Sequence, residues 1–353
     1  MKKSNFLSSS YPHMELELRV EDFGKFRRLY AKGPHTHVVA RDVTACEECH
    51  LDLPFSSKFI EQLIEWSDHG IFHFIGTRLC NDTFNEGPRK TIYRFCPDLK
   101  GRVVLDFGSG LGQLSPFFFD RGAGQVILTE IDDKLLELSK TYLTDLGHAG
   151  NCRFFLFKEN DELSMIEDGS IDVIVASEVF EHILPCYRKQ ALQTLYSKLK
   201  PGGTLVITAP NRMFPKDGHT TGLWFAAWLP ARLGAWYART FASWRWKNRS
   251  TETLLRQGLR QYSYFEARKV LKPLGARELC LEYPRDDEGS TPHRSLKGRV
   301  FYRTLELMFA IVLKRFGPWE AWQPSLEIAW AKPVGHARPS ENARSGGKGR
   351  VTH

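Results

Sequence analysis

Three glycines alternate with other residues directly after a short apolar run that contains an acid. The run is Val103–Phe107 with Asp106 as its acid, and the glycines are Gly108, Gly110 and Gly112. A β-branched apolar run predicts a buried strand, and glycine lets backbone approach a ligand closely because it has no Cβ. The stretch therefore predicts a nucleotide-binding turn at the carboxyl end of a parallel strand.

The spacing of the glycines argues against a dinucleotide site. In that pattern the third glycine follows the second by three positions, but this chain has Gln113 there and its third glycine stands one residue earlier. The carboxylate of Asp106 would also repel a pyrophosphate. The turn therefore favours a ligand that is cationic or carries an amine.

Acidic and polar residues also stand at the ends of the next two predicted strands. Glu130 follows Gly108 by 22 residues, the spacing at which an acid accepts hydrogen bonds from ribose hydroxyls. After the third predicted strand come Glu159, Asn160 and Asp161, any of which could bind the exocyclic amine of an adenine. The pattern leaves open which of the three does so.

Further motifs follow in order along the chain. A fourth predicted strand leads into Ser177-Glu178-Val179-Phe180-Glu181-His182. Leu199-Lys200-Pro201-Gly202-Gly203 then precedes a fifth strand, and Thr208-Ala209-Pro210-Asn211-Arg212 ends and follows it. Over about residues 101–210 this ordered set resembles the class I S-adenosylmethionine-dependent methyltransferases.

The resemblance implies both a fold and a cofactor. The fold class is α/β: a Rossmann-like, doubly wound, mostly parallel sheet with a closing antiparallel strand. The cofactor is S-adenosylmethionine, with Asp106 and the glycine turn at its amino-acid end and Glu130 at its ribose. The residues assigned to the cofactor are Asp106, Gly108, Ser109, Gly110, Gly112, Glu130, Ile131, Asn160, Asp161 and Glu178.

The run that ends in His182 offers candidates for catalysis. It is similar to that of the O-methyltransferases of quinone biosynthesis, which would imply a divalent metal beside Glu178, Glu181 and His182. Because many relatives carry Glu-His here without a metal, we predict none and keep this set as the alternative. His182 is a candidate general base or substrate-positioning residue. His219 is a second candidate base, since a neutral imidazole near pH 7 can remove a hydroxyl proton.

The rest of the chain divides around this core. The predicted segments are an N-terminal extension with short helices (1–100, with little regular pattern before about 55), the cofactor-binding core (101–211), an aromatic and basic lid insertion (212–262), the end of the fold (263–333) and a disordered basic tail (334–353). In the core we expect strands at 102–106, 125–129, 153–157, 171–176 and 204–209, with helices at 113–121, from 133 and at 185–199. In the last part we expect a helix from Ser263 to Leu274, introduced by a capping box, and strands at 278–282 and 326–330.

Composition narrows the partners. A net charge of +8, from 49 basic and 41 acidic residues, is too mild to predict a specific nucleic-acid partner. No apolar run reaches the roughly 20 residues of a transmembrane helix, although the aromatic and basic lid is compatible with peripheral membrane contact.

Seven cysteines and no secretory signal predict that the protein lies in a reducing cytoplasm. Cys46-Glu47-Glu48-Cys49-His50 fits half a zinc site or a haem attachment, but we interpret it as ordinary loop sequence.

The function predicted from these observations is a methyltransferase. Its acceptor is expected to be a small molecule, a lipid-like compound or a glycan, methylated on oxygen. The alternatives are an RNA or protein methyltransferase and a non-catalytic binding protein that keeps the fold. The Asn/Asp-Pro-Pro-Tyr/Phe run of base amino-group methylation is absent after strand four, where Ser177-Glu178-Val179-Phe180 stands. The oligomeric state stays open.

Overall fold

The computed structural model gives the arrangement of most of the chain. It describes residues 5–11, 14–39, 42–66, 79, 85–158, 163–280, 304, 308 and 315–334, with the backbone alone for 5–17 and 33–47 where described. The strands are β1 (Asn5–Tyr11), β2 (Met14–Asp22), β3 (Arg27–Val39), β4 (Asp42–Leu53), β5 (Val103–Phe107), β6 (Gln125–Glu130), β7 (Cys152–Leu156), β8 (Ile171–Ser177), β9 (Leu199–Pro210), β10 (Arg277–Glu278) and β11 (Ser325–Ala331). The helices are α1 (Ser57–Trp66), α2 (Glu86–Phe95), α3 (Ser115–Asp120), α4 (Asp133–Asp145), α5 (Arg188–Lys198), α6 (Ala231–Phe241), α7 (Thr251–Arg256) and α8 (Tyr264–Leu271).

The central feature is a seven-stranded sheet. Its order is β10-β11-β9-β8-β5-β6-β7, with β5 to β9 parallel and β11 antiparallel to β9. The chain moves outward from β5 through β6 and β7, then returns to pair β8 with the other side of β5. The carboxyl ends of β5 and β8 therefore meet at a topological switch point, where open α/β sheets bind their ligands. The predicted fold class is confirmed.

Apolar burial explains why these segments form the sheet. Val104, Leu105, Val173 and Ile174 are fully buried, as expected of parallel strands covered by helices on both faces. The helix α4 begins at an N-cap, where the carboxylate of Asp132 accepts hydrogen bonds from backbone amides of the first turn. Its inner side packs against α1.

The N-terminal segment differs from the prediction. Strands β1 to β4 form a separate four-stranded antiparallel sheet, so the expectation of little regular pattern before residue 55 was wrong. The stretch Met14–Glu21 alternates apolar and charged residues, a period of two that is typical of a half-buried strand. Its apolar side chains Leu18 and Val20 are buried. The two helices expected in this segment, α1 and α2, are both present.

The Cys46-x-x-Cys49-His50 run lies in strand β4 rather than in a loop. Cys49 pairs with Ala31 of β3 and is half-buried. An extended strand lacks the tight turn in which C-x-x-C pairs bind a metal. The prediction that these residues have no special chemistry stays a prediction. The expected loop was wrong, because they lie in a strand.

Two element boundaries also differ from the prediction. Strand β9 begins at Leu199, not at Thr204, because its pairing with β8 shifts between Ile171 and Val173 and so accommodates the Pro-Gly-Gly run as an irregularity. The capping box at Ser263 is present: its hydroxyl accepts from the amide of Glu266 and donates to that carboxylate. The helix it introduces ends as a short 3₁₀ turn, Lys272–Leu274.

The lid insertion has a small core of its own. Ala226, Ala235, Ala238, Leu254 and Leu259 are buried together there, and α6 packs against α7 and the 3₁₀ turn of residues 226–228. Within the described residues, no helix has both the length and the apolar character needed to cross a bilayer. Residues 281–282 of the predicted strand 278–282 and residues 335–353 of the predicted tail lie outside the described residues.

Candidate functional site

The glycine turn after β5 has the geometry that its sequence predicts. Gly108, Gly110 and Gly112 have φ values of +69°, +56° and +75°, a region that side chains rarely adopt. A Cβ on Gly108 would lie 2.6 Å from a methyl group of Val179, whereas one on Gly110 would point into open space. Gly108 thus permits close packing against the loop after β8, and Gly110 leaves room for a ligand.

Glu130 fastens this turn to the end of β6. Its Oε2 accepts a 2.8 Å hydrogen bond from the amide of Gly110, and its Oε1 accepts one of 2.7 Å from the amide of Ile131. The amide of Ser109 donates to the carbonyl of Thr129. Glu130 therefore sets the position of the turn as well as facing a cavity.

Asp106 is a buried acid without a full set of partners. Its side chain is buried, and among the described residues its Oδ2 has no hydrogen-bond partner. Burial, and secondarily the charge of Glu130, raises the pKa of this carboxyl to about 7. A buried polar atom left unpaired costs free energy, so the site is suited to a cationic or hydrogen-bond-donating group at this point.

Two cavities meet at Gly108, Glu178 and His182. One, of about 310 Å³, is also lined by Asp106 and His219. The other, of about 260 Å³, is lined by Glu130, Ile131 and Phe157. The residues assigned to the amino-acid end and to the ribose of the cofactor thus lie on either side of the same glycine.

Glu178 is held in an unusual backbone conformation between these cavities. Its φ is +57°, which is uncommon for a residue with a side chain and is found at functional sites. Its amide donates to the carbonyl of Thr208 at the end of β9. Glu159, Asn160 and Asp161, the candidates for adenine recognition, lie outside the described residues.

The two candidate bases lie side by side. The imidazole rings of His182 and His219 are 5.5 Å apart between centroids. The Nδ1 of His182 lies 2.7 Å from the carbonyl oxygen of Arg256; because a carbonyl can only accept, this nitrogen carries the proton and Nε2 has a free lone pair. Burial lowers the pKa of both histidines, and for His219 the neighbouring His182 lowers the pKa further.

A third group completes this cluster. Glu181 is fully buried, and neither carboxylate oxygen has a hydrogen-bond partner within the described part of the chain. Its Oε1 lies 3.6 Å from Nε2 of His182. Burial and then the charge of Glu178 raise the pKa of Glu181 well above its ordinary value.

The donor atoms of this cluster fit a divalent cation. One ligand atom each from Glu181, His182 and His219 lies within 4.8 Å of the others, and two imidazoles with one carboxylate are a common ligand set for zinc and related metals. The structure thus joins Glu181 and His182 to His219, whereas the sequence grouped them with Glu178.

Several supporting residues were missed by the sequence analysis. The carboxylate of Asp217 accepts from the amides of His219, Thr220 and Thr221 and so shapes the loop that carries His219. Gly258 makes room for that histidine, because a Cβ there would lie 2.8 Å from its Cδ2. An Asp two residues before a turn histidine is a weak sequence signal for the role of Asp217. No sequence signal indicates the role of Gly258.

Buried Arg188 organises the loop that carries the catalytic candidates. Its guanidinium donates to the carbonyls of Glu181, Ile183 and Gln261. It therefore joins this loop to the last residues of the lid insertion. A single arginine in a predicted helix carries no sequence signal for such a role.

Glu130→Ala tests the ribose assignment. We expect affinity for S-adenosylmethionine to fall by about tenfold to a hundredfold, because hydrogen bonds to a charged group contribute about 1.5–3 kcal/mol. Calorimetric titration measures this, with denaturant unfolding to show that the domain remains folded. Asp133→Ala, three residues along and exposed, is the matched control. An unchanged affinity for Glu130→Ala would refute the assignment.

The raised pKa of Asp106 predicts a pH-dependent affinity. The ionised carboxylate attracts a cationic ligand, so the dissociation constant of S-adenosylmethionine should fall about tenfold per pH unit as pH rises toward about 7, then level off. Without ligand the same group destabilises the fold as pH rises, since its folded pKa exceeds its unfolded value. Asp106→Asn should remove both trends; a variant that keeps the wild-type pH profile would contradict the role.

Comparisons with known proteins agree with this geometry. Residues 81–254 match the family model of a methyltransferase domain. The ubiquinone/menaquinone biosynthesis C-methyltransferase UbiE of Psychromonas ingrahamii is 31% identical over 146 residues, 39% of this chain and 57% of that protein. UbiE of Ectopseudomonas mendocina is 29% identical over 164 residues, 44% of this chain and 60% of that protein. The chain thus matches somewhat more than half the length of these curated relatives.

Solved structures are also similar to this chain. A SAM dependent methyltransferase from Aquifex aeolicus is 19% identical, with a TM-score of 0.36 over 54% of this chain and 80% of that one. The sequence motifs, the match of residues 81–254 to a methyltransferase domain and the curated relatives together support a class I S-adenosylmethionine-dependent methyltransferase domain in this chain, a family that implies S-adenosylmethionine as cofactor.

Proposed function

We propose that the enzyme methylates a hydroxyl group of a lipid-like small molecule. The observation that carries the proposal is the pair of neutral imidazoles at the cavity that Asp106 and the glycine turn also line. Removal of a hydroxyl proton during methyl transfer needs a neutral base, and the lowered pKa of both histidines provides one at neutral pH. An RNA, a protein or a glycan acceptor is the alternative that the experiment below distinguishes.

The chain's own residues would divide the work between two sides of Gly108. Asp106 would hold the amino group of the cofactor and Glu130 its ribose hydroxyls, while the glycine turn brings backbone close to both. When bound, S-adenosylmethionine supplies a methyl group already activated on a sulfonium. The protein's task is then to orient donor and acceptor and to exclude water.

His182 would accept the acceptor's proton at Nε2. Its Nδ1 is committed to the carbonyl of Arg256, so the tautomer is fixed with the lone pair on the other nitrogen. His219, whose loop is held by Asp217, would position the acceptor or share the proton. The lid insertion supplies both Arg256 and His219 and would therefore cover the acceptor side.

The curated relatives raise a closely related possibility. Those proteins are named C-methyltransferases of ubiquinone and menaquinone biosynthesis. A hydroxylated ring that has lost its proton is nucleophilic both at oxygen and at neighbouring ring carbons, so the same base would serve either reaction. We favour oxygen on the Ser-Glu-x-x-Glu-His pattern, and analysis of the product distinguishes the two.

A labelling experiment tests the function. The enzyme is incubated with S-adenosylmethionine labelled in its methyl group and, in parallel, with lipid-soluble extract, aqueous small molecules, RNA and protein from cells. We expect label in the lipid-soluble fraction, with mass spectrometry of the product showing a methyl ether. Glu130→Ala is the control for cofactor-dependent transfer. Label confined to RNA, to protein or to the aqueous small molecules, soluble glycans included, would overturn the proposal.

Binding of a divalent metal is a second candidate function of the histidine cluster. The unpartnered carboxylate of Glu181 favours it, because a metal held by Glu181, His182 and His219 would satisfy that group. A bound metal lowers the pKa of a hydroxyl and holds its oxygen. In that case the two imidazoles act as ligands and proton removal needs a different acceptor.

Variants of the cluster separate the two readings. His182→Gln and His219→Gln should each lower kcat by about a hundredfold or more while leaving cofactor affinity unchanged; His148→Gln, outside the site, is the control. If the histidines act as bases, chelation has no effect and the purified enzyme contains no stoichiometric metal. Loss of activity on chelation, with metal content lost in Glu181→Gln, would show that they act as ligands.

A further inference from the structure

The lid insertion exposes large apolar side chains. On α6, Leu233, Trp236 and Phe241 have exposed fractions of 47%, 54% and 60%, and Trp244 in the turn that follows is 81% exposed. The rings of Trp236 and Phe241 are 6.1 Å apart in an edge-to-face arrangement. A cluster of exposed residues of this size marks an interaction site more often than chance exposure. We call these four residues the lid surface.

The helix α6 is inverted relative to an ordinary amphipathic helix. Its buried residues are the small ones, Gly234, Ala235 and Ala238, whereas Leu233, Trp236 and Phe241 are exposed and Tyr237 is partly buried against the lid core. A Cβ on Gly234 would lie 3.1 Å from the carbonyl oxygen of Ala226, so at this point the helix lies too close to the lid core for a larger side chain. The close packing of α6 on the lid core therefore leaves the large side chains of the lid surface exposed to solvent.

The charge of the same segment is one-sided. Between residues 218 and 251 there is no aspartate or glutamate, whereas arginine and lysine occur five times. Arg232, Arg245, Lys247 and Arg249 are exposed. The segment therefore carries a local charge of +5, against +8 for the whole chain, and complements an anionic surface.

We propose that the lid surface docks the enzyme on an anionic lipid bilayer. Tryptophan and phenylalanine on one face of a short helix, flanked by arginine and lysine, are the features of helices that lie in the interface of a membrane. The backbone of α6 is hydrogen-bonded within the helix, so its apolar face can enter the lipid boundary without exposing unsatisfied groups. The basic residues add electrostatic attraction to anionic headgroups.

Docking at this place would serve the acceptor side of the site. The insertion that carries the lid surface also carries His219, which lines the cavity with Asp106, and Arg256, which lines the cavity with Glu130. A lipid-like acceptor dissolved in the bilayer would then reach the enzyme without crossing water. This purpose rests on the proposed function, but the docking itself does not, and the experiment separates them.

Co-sedimentation with vesicles tests the docking. Full-length enzyme is mixed with vesicles of phosphatidylcholine alone and of phosphatidylcholine with an equal part of phosphatidylglycerol, without cofactor or acceptor. We expect binding to the anionic vesicles that weakens as salt is raised. Phe241→Ser should weaken that binding about tenfold, from the apolar area it withdraws, and Arg245→Gln with Lys247→Gln should remove the preference for anionic lipid.

A matched control exists in the chain. Phe316 is 58% exposed, close to the value for Phe241, but lies outside the lid; Phe316→Ser should bind vesicles like the wild type. Equal binding of Phe241→Ser and wild type, or no binding to anionic vesicles at low salt, would overturn the proposal. So would a lid surface that instead pairs two copies of the chain, seen as a dimer by sedimentation and lost in Phe241→Ser.

If the proposed function is wrong, the activity and vesicle-binding assays give different results from those expected if docking is wrong. Methyl transfer to an acceptor dispersed in detergent needs no membrane, so Phe241→Ser should keep that activity. Vesicle binding without any lipid-soluble product would refute the acceptor class and leave docking intact. Detergent-phase transfer without vesicle binding would refute docking alone.

Discussion

The burial of two carboxylates at neighbouring strand ends is the constraint on which the site depends. Glu130 is satisfied by backbone amides of the glycine turn and the residues after β6. Asp106 is not, and within the described residues one of its oxygens remains without a partner. Burial raises the pKa of Asp106 to about 7, and repulsion between the two neighbouring acids contributes secondarily. A ligand with a positive charge relieves that repulsion.

The parallel sheet is what makes this arrangement possible. The order of strands brings the ends of β5, β6 and β8 to one edge, and the turn after β5 must then pass close to the loop after β8. Gly108 permits that approach where Val179 already occupies the space of a Cβ. The carboxylates, the turn and the residues after Ser177 thus form one unit, and a change in the turn would alter both cavities.

The sequence predicts this half of the molecule well because its signals are local. A buried strand, a glycine turn and an acid at a set spacing all lie within a few tens of residues, and Asp106, Glu130 and the strands around them fall where the pattern puts them. The acceptor side depends on contacts between distant residues. The carbonyl of Arg256 contacts His182, which lies 74 positions earlier in the chain, and no local sequence pattern indicates such a contact. The N-terminal sheet differs from the prediction for another reason: in the sequence, its local signal is the period-two alternation of the short stretch Met14–Glu21.

A buried acid without hydrogen-bond partners costs free energy of folding. Within the described residues, Asp106 and Glu181 both have carboxylate oxygens without a partner. Asp106 lines the cavity that His182 and His219 also line, and Glu181 lies with those two histidines. In the proposed reaction, methyl transfer from a sulfonium to a hydroxyl removes a positive charge from the donor and releases a proton from the acceptor. Burial raises the pKa of both carboxyls, to about 7 for Asp106 and well above the ordinary value for Glu181, so each is easier to protonate than an exposed acid. The cost of leaving Asp106 and Glu181 incompletely bonded is therefore best explained by the chemistry of this cavity, not by the stability of the fold.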